Sequence, residues 1–384
     1  MKDFLSLRKE SFGGTLFNPH TGKRVYLNVQ ETKDFIDNRV LPTDVEIVKD
    51  AKNTDINIVE NINSKNPLMF SFADTIYIEL TRKCNLRCKH CLNNSGHCVA
   101  NELTKEEVLS LIEELYKCGV QEIRFTGGEP LLFDGIFEAI QLASQKGLKT
   151  SLGTNGTLVT PKVAKKLKEV GLSNAVVSID GTKEMHDSIR GEGNFDKSME
   201  GLHNLMHEGI DVRVNSVIMK NNIEEIIALA KDLDSQKIKL FIRQFVSSGR
   251  GKDLVDVALS AEEYKQVKER LAEELNNNVR GHNLKNNNGT TSRIPLNFEI
   301  STCRAAQRTL CITPEGNVYP CGFLAAQGFS PLDNIRNIDS WEEFWFKLNN
   351  IAKLKDLRER MAEYNKTHEK KITCMADFYS KIVK

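Results

Sequence analysis

Cys84-Asn85-Leu86-Arg87-Cys88-Lys89-His90-Cys91 sets three thiols at the spacing CxxxCxxC, directly after an apolar, β-branched run over 74–80. That run reads as a strand, which puts the cysteines on a loop at its carboxyl end. Three thiolates on one short loop can hold three corners of a [4Fe–4S] cube and leave the fourth iron without a protein ligand. An iron left open in this way can bind a cofactor or a substrate. The other reading of such thiols is a zinc knot, which needs four closed ligands.

The chain around this loop has 384 residues, enough for two domains or one large domain with an appendage. Hydrophobic residues make up 40% and charged residues 27%, and the formal net charge is +1, so the charge balance selects neither nucleic acid nor a membrane surface as partner. No apolar run approaches the roughly 18 residues of a membrane span, and the polar, charged start is not a signal peptide. Nine cysteines without a secretion signal suit the reducing cytoplasm, where clustered thiols bind metal more often than they form disulfides.

Downstream of the loop, strand and helix patterns alternate at the spacing of βα units. Strands are expected over 75–80, 122–126, 149–154, 174–180, 211–219 and 237–244, with amphipathic helices over 105–117, 135–145 and 161–169. Thr104 and Thr160 are the expected N-caps. Six units rather than eight indicate an open, partial TIM-like barrel, whose site lies at the carboxyl ends of the strands.

Chemistry-bearing residues fall at those ends. After the second strand comes Thr126-Gly127-Gly128-Glu129-Pro130, where two glycines allow close backbone approach and Glu129 offers a carboxylate to an ammonium. The third strand leads into the turn Thr154-Asn155-Gly156-Thr157. The fourth ends in Ser178-Ile179-Asp180-Gly181, and Arg190 follows. A hydroxyl and a carboxylate suit ribose hydroxyls, and an arginine fork suits a carboxylate, although Arg190 also fits a surface salt bridge. Asn215, Arg243 and Gln244 are polar groups on apolar strands, facing either the barrel mouth or solvent. Cys118 reads as a small core residue, and Cys98 matches no ligand pattern.

Toward the end of the chain, Cys303, Cys311 and Cys321 surround a hairpin turned at 314–317, and Cys374 lies beyond it. A hairpin that gathers distant thiols can build a closed cluster site on a domain with little core. Zinc on the same four thiolates is the alternative. At the beginning, residues 5–28 read as two strands joined at 18–22, followed by a helix over 30–37. The polar segment 56–66 reads as a linker, and 276–293 as a flexible connection.

The thiol spacing, with His90 in the aromatic position of CxxxCxΦC, resembles the signature of the radical SAM superfamily. The resemblance implies a [4Fe–4S] cluster on Cys84, Cys88 and Cys91 whose open iron chelates S-adenosylmethionine, and reductive cleavage to a 5′-deoxyadenosyl radical. It further implies that His90, Gly127, Gly128, Glu129, Asn155, Ser178, Asp180 and Arg190 line the S-adenosylmethionine site, with the GGEP loop on the methionine amino group. The spacing from Cys303 through Gly316 to Cys321 resembles the SPASM or twitch extension. That implies one auxiliary [4Fe–4S] cluster on Cys303, Cys311, Cys321 and Cys374, with Cys311 equally suited to apolar packing. The N-terminal strands and helix are similar to the start of the RiPP recognition element, which captures the leader of a ribosomally made peptide by adding it as a strand.

The expected architecture is α/β in three parts: a small β-hairpin/helix domain over 1–66, serving as a truncated recognition element or a cap; a partial (β/α)6 TIM-like barrel over 67–297; and a Cys-rich auxiliary-cluster domain over 298–384. The expected function is a radical SAM peptide maturase that oxidatively crosslinks a precursor peptide through a thioether or carbon–carbon bond, fed by a flavodoxin or ferredoxin. Alternatives are a radical SAM oxidoreductase acting on a sugar, nucleoside or tetrapyrrole, and a non-enzymatic iron–sulfur or zinc protein. Neither pattern nor resemblance names a catalytic acid or base.

Overall fold

The computed structural model describes residues 4–43, 45, 47, 54–60, 70–274, 303–348, 351–368, 372 and 374–383. The chain begins with β1 (Phe4–Glu10), β2 (Gly13–Asn18) and β3 (Lys23–Asn28), then α1 (Val29–Asn38) and β4 (Asp55–Val59). These strands form one sheet in the order β3-β2-β1-β4, with β4 parallel to β1. Two sequence expectations are corrected here. Residues 5–28 hold three strands rather than two, because the chain also reverses at Ser11 and Phe12 between β1 and β2. Residues 55–59 form a strand and not a linker, since their short polar alternation is satisfied by pairing with β1, a partner far away in sequence. The rest of 56–66, apart from Glu60, lies outside the described residues, as does 276–293. Helix α1 starts on a capping box in which Asn28 accepts from Glu31 N–H and the Glu31 side chain accepts from Asn28 N–H. Its Phe35 packs with Leu5, Leu7, Leu16, Val25 and Leu27 to make a small separate core.

The second sheet is the barrel. Strands β5 (Thr75–Glu79), β6 (Glu122–Thr126), β7 (Lys149–Thr154), β8 (Asn174–Ser178), β9 (Asp211–Ile218) and β10 (Lys239–Gln244) run parallel in sequence order. Helices α2 (Lys105–Lys117), α3 (Ile136–Gln145), α4 (Pro161–Glu169), α5 (Lys183–Arg190), α6 (Asn194–His207), α7 (Ile223–Ser235) and α8 (Ala261–Glu274) complete the units. Thr104 and Thr160 cap α2 and α4 as expected. Along the strands, fully buried Ile76, Ile78, Ile123, Phe125, Val177, Val214 and Ile242 alternate with less buried Tyr77, Arg124, Ser178, Asn215 and Arg243. The first set packs in the helix-covered core, so the second faces the concave interior.

The C-terminal segment continues this sheet. Strand β11 (Thr309–Ile312) lies parallel to β5, and β12 (Asn317–Tyr319) and β13 (Asp333–Asn334) extend it antiparallel, giving nine strands in the order β10-β9-β8-β7-β6-β5-β11-β12-β13. Helices α9 (Gly322–Ala326), α10 (Trp341–Leu348), α11 (Ala352–Thr367) and α12 (Met375–Phe378) close the chain. Trp345 of α10 is fully buried against Phe72 and donates its indole N–H to Phe70 O at 3.0 Å.

The three regions meet beneath the barrel at Asp74, just before β5. Arg8 of β1 donates to Asp74 Oδ1 at 2.8 Å, Arg308 to Oδ2 at 2.5 Å, and Arg24 of β3 lies 3.8 Å away. Arg8 also holds Glu10 at 2.8 Å, and Glu10 accepts from Ser71 N–H at 2.6 Å. Burial would raise the Asp74 pKa, but the charges of Arg24, Arg308 and Arg8 hold it well below the usual carboxylate range.

Candidate functional site

The loop that carries Cys84, Cys88 and Cys91 leaves the end of β5 and doubles back, with Cys84 N–H donating to Gly96 O at 3.2 Å and Gly96 N–H to Arg82 O at 2.7 Å. Glu102 fastens its base, accepting from Thr81 Oγ1 at 2.7 Å and Arg82 N–H at 2.8 Å. Within the loop, amides point at sulfur: Leu86 N–H lies 3.4 Å from Cys84 Sγ, and Ser95 N–H 3.4 Å from Cys91 Sγ. The Arg190 guanidinium lies 3.9 Å from Cys88 Sγ. Amides and a guanidinium directed at three sulfurs are the environment that cluster thiolates need. Burial pushes the Cys84 thiol up to about 11, despite the Leu86 N–H, so near neutral pH that thiol stays protonated unless a cation stands beside it.

The turn after β6 lies directly against this loop. Gly128 N–H donates to Thr81 O at 2.6 Å and Glu129 N–H to Lys83 O at 2.9 Å. A Cβ on Gly128 would stand 2.2 Å from Lys83 O, and one on Gly127, whose φ is +137°, would stand 2.6 Å from Thr81 O. The two glycines therefore seat one backbone on another. Glu129 is fully buried and accepts from Thr154 Oγ1 at 2.8 Å and Asn155 N–H at 2.9 Å. Burial raises its pKa to about 7, with those donors opposing. Asn155 reaches the cluster loop itself, donating to Asn85 Oδ1 at 2.9 Å.

On the other flank, His90 Nε2 and Arg190 Nε both lie 2.6 Å from Asp180 Oδ2, while Asp180 Oδ1 accepts from Val217 N–H at 2.8 Å. Both oxygens of Asp180 are thus engaged in orienting His90 and Arg190. Although burial would raise its pKa, Arg190 and His90 hold Asp180 far below the carboxylate range. His90 Nδ1 is buried without a hydrogen-bond partner, which leaves one donor or acceptor next to the thiols unused by the protein. Ser178 is half-buried at the end of β8, in register with Asn215 of β9, and Asn215 accepts from Arg243 Nε at 2.9 Å. Those three share the interior face, whereas Gln244 turns away and donates to Leu259 O at 2.7 Å. Cys118 is buried beside Gly119, where burial pushes its thiol up to about 12, and Cys98 is exposed.

The four C-terminal thiols divide. Cys321 and Cys374 stand at the N-caps of α9 and α12, each within electrostatic range of Cys303, and burial pushes the Cys321 thiol up to about 12. Cys311 is buried on β11, where a Cβ at Gly322 would lie 3.4 Å from its sulfur and 3.6 Å from Glu79 Oε1. Glu79 in turn accepts from Asn93 of the cluster loop at 2.9 Å and pairs with Arg82 at 2.7 Å, so this carboxylate stands between the two thiol groups. Among the described residues no three His, Cys, Asp or Glu side chains converge on a point the size of one metal ion, the arrangement a zinc knot requires.

Glu79, Glu102 and the segment after β10 escaped the reading of the sequence. The cysteine spacing and paired glycines that flag ligand loops do not flag residues that hold such loops from a distance.

Comparison with known proteins places this arrangement. A family model described as the Radical SAM superfamily matches residues 78–233. Fe-coproporphyrin III synthase of Methanosarcina barkeri is 37% identical over 228 residues, which span 59% of this chain and 55% of that protein. The AdoMet-dependent heme synthase of the same organism is 30% identical over 79% of this chain and 91% of its own length. Mycofactocin maturase MftC of Mycolicibacterium smegmatis is 29% identical over 70% of this chain and 68% of its own. Among solved structures, Streptococcus suis SuiB bound to precursor peptide SuiA superimposes with a TM-score of 0.68 at 18% identity, covering 89% of this chain and 87% of that one.

Proposed function

The chain belongs to the radical SAM superfamily of enzymes, which work with a [4Fe–4S] cluster and S-adenosylmethionine, and from that premise we propose that it oxidatively modifies a ribosomally made precursor peptide. The observation that carries this reading is the N-terminal sheet. Its outer strand β3 pairs only with β2 among the described residues, which leaves an edge onto which an extended peptide can add. Beside α1 a cleft of about 540 Å³ opens between Lys9, Ser11, Val29 and Ile36, with room for a peptide's side chains. Anchorage through Arg8 and Asp74 would keep a captured leader at a fixed place relative to the barrel. The mycofactocin maturase likeness and the peptide bound to SuiB support the same reading.

In this reading Cys84, Cys88 and Cys91 hold the cluster, Glu129 takes the methionine ammonium, and Ser178 with the Arg190 fork lines the remainder of the S-adenosylmethionine site. Bound together, those groups supply a 5′-deoxyadenosyl radical on one-electron reduction. The chain's own part is to fix them and exclude water: Asp180 locks Arg190 and His90, and the GGEP turn and Asn155 lock the cluster loop. Cys303, Cys321 and Cys374, with Cys311 as the inner candidate, would hold one auxiliary cluster, whose chemistry there would be to take up the electron an oxidative crosslink releases. A flavodoxin or ferredoxin supplies the reducing electron, in the cytoplasm.

Glu129 gives this reading a pH signature. Its raised pKa of about 7 means that the ionised carboxylate an ammonium requires is lost below neutrality. Affinity for S-adenosylmethionine should therefore weaken about tenfold per pH unit below 7, and Glu129→Gln should flatten that slope while weakening binding; titration calorimetry from pH 5.5 to 8.5 reads both.

A second reading, a tetrapyrrole substrate, is favoured by the likeness to Fe-coproporphyrin III synthase and heme synthase. One anaerobic assay separates them. The reconstituted enzyme, S-adenosylmethionine and reductant are given either any short peptide found encoded beside the gene or iron-coproporphyrin. A peptide lighter by about two hydrogen masses is the expected outcome, and turnover of the porphyrin with an unchanged peptide would overturn the peptide reading.

A further inference from the structure

The turn after β10 presses on the cluster loop over residues 88–95, beyond the Thr81 and Lys83 carbonyls that seat the GGEP turn. Arg250 donates its backbone N–H to Cys91 O at 3.0 Å, Nε to Cys88 O at 2.9 Å, and Nη1 to Ser95 O at 2.6 Å and Asn94 Oδ1 at 3.1 Å. The fit needs the glycines on either side. At Gly249, where φ is +56°, a Cβ would stand 2.4 Å from both Cys91 O and Leu92 O. A Cβ on Gly251 would stand 3.2 Å from His90 Cα and 2.8 Å from the Phe245 ring. One residue earlier, Ser248 Oγ donates to Ala326 O at 2.6 Å, at the end of the helix that opens after Cys321.

Two guanidiniums thus stand beside Cys88, and they differ in charge balance. Arg190 is neutralised by Asp180 at 2.6 Å. Every side-chain acceptor of Arg250 named above is neutral, two carbonyls and an amide oxygen, and no ion pair to it occurs among the described residues. A thiolate-held cluster is net negative and becomes more so on gaining an electron, so a fixed, uncompensated cation at its edge favours the reduced form.

We propose that Arg250 is a positioning residue for the cluster on Cys84, Cys88 and Cys91: it holds the carbonyls of the loop in place and sets the reduction potential of the cluster with its charge. The proposal rests on membership of the superfamily and not on the peptide reading, and its readouts involve no substrate.

Three proteins test it: the parent, Arg250→Gln, which removes the charge, and Arg250→Lys, which keeps the charge but not the fork. Each is reconstituted anaerobically. The midpoint potential is read from the electron-paramagnetic signal that shifts on adding S-adenosylmethionine, and amide exchange is followed over 84–96. Arg250→Gln should make reduction at least tenfold less favourable, about 59 mV for a one-electron couple, and speed exchange in the loop. Arg250→Lys should keep the parental potential within threefold in the equilibrium while exchange still quickens. Parental potential and exchange in Arg250→Gln would overturn the proposal. Should that variant take up no iron, Arg250→Lys decides alone: quicker exchange at unchanged potential supports the proposal, and unchanged exchange or a tenfold shift overturns it.

Discussion

Cys88→Ala is expected to yield a folded protein that releases no 5′-deoxyadenosine above background from S-adenosylmethionine and strong reductant. Cys88 is the most enclosed of the three loop thiols, 8% exposed, with Arg190 at its sulfur and Arg250 at its carbonyl. Removing it leaves two protein ligands where a cube with one open iron needs three. Iron content should fall by about four atoms per chain, those of one cube, while iron on the C-terminal thiols stays. Thermal stability of the iron-free forms should barely differ, since a small buried thiol becomes a smaller apolar group, whereas the reconstituted variant should melt below the reconstituted parent because it lacks the stabilisation of a bound cluster. The matched variant Cys311→Ala should retain cleavage of S-adenosylmethionine, because Cys311 lies on β11 across Glu79 from the loop. Parental cleavage by Cys88→Ala would place the reaction elsewhere in the molecule.

The second large effect concerns stability. Asp74→Ala should cost about 3–5 kcal/mol in urea unfolding, the range for breaking a buried ion pair by removing one partner. Arg8 has no exposed surface, Arg308 is nearly as enclosed, and both aim at this carboxylate. Glu10 would remain to Arg8, whereas Arg308 would lose its only close anionic partner among the described residues. Asp74→Asn should cost less, because the amide oxygen still accepts one bond. The pH dependence has a definite sign. Asp74 is held below its unfolded value, so its contribution is fully present above a pH of about 3.9 and is lost as pH falls from there toward the native value. The parent should lose stability steeply below about pH 4, and Asp74→Ala should show a shallower slope there. Equal slopes would remove Asp74 from the account.

Much of the barrel was legible because its signals are local. Periodicity and caps marked β6, β7, α2 and α4 with the bounds the structure has, and Cys84, Cys88, Cys91 and the GGEP residues follow the carboxyl ends of β5 and β6, as six βα units require. Legibility failed where the partner is distant. Residues 55–59 are five residues in an Asn-rich stretch, too short to announce a strand until β1 lies beside them. The hairpin of β11 and β12 looked self-contained, yet its first strand completes the edge of the barrel at β5. Asp180, read as a ligand group, has both oxygens committed to the protein, which no spacing rule encodes.

Sequence alone determined the chemistry class: three thiols at a fixed spacing on one loop, glycines beside a carboxylate, and a strand–helix rhythm that puts them at one mouth. These are short-range properties, set by neighbours within a few residues. Only the tertiary structure decided how that loop is held, by Glu102 at its base, Asn155 on one flank and Arg250 on the other. It also decided that the N-terminal sheet, the barrel and the C-terminal hairpin share one buried carboxylate at Asp74. Arg8, Asp74 and Arg308 are up to 300 residues apart in sequence, and what joins them is the requirement that a buried charge find its opposite, which acts through space.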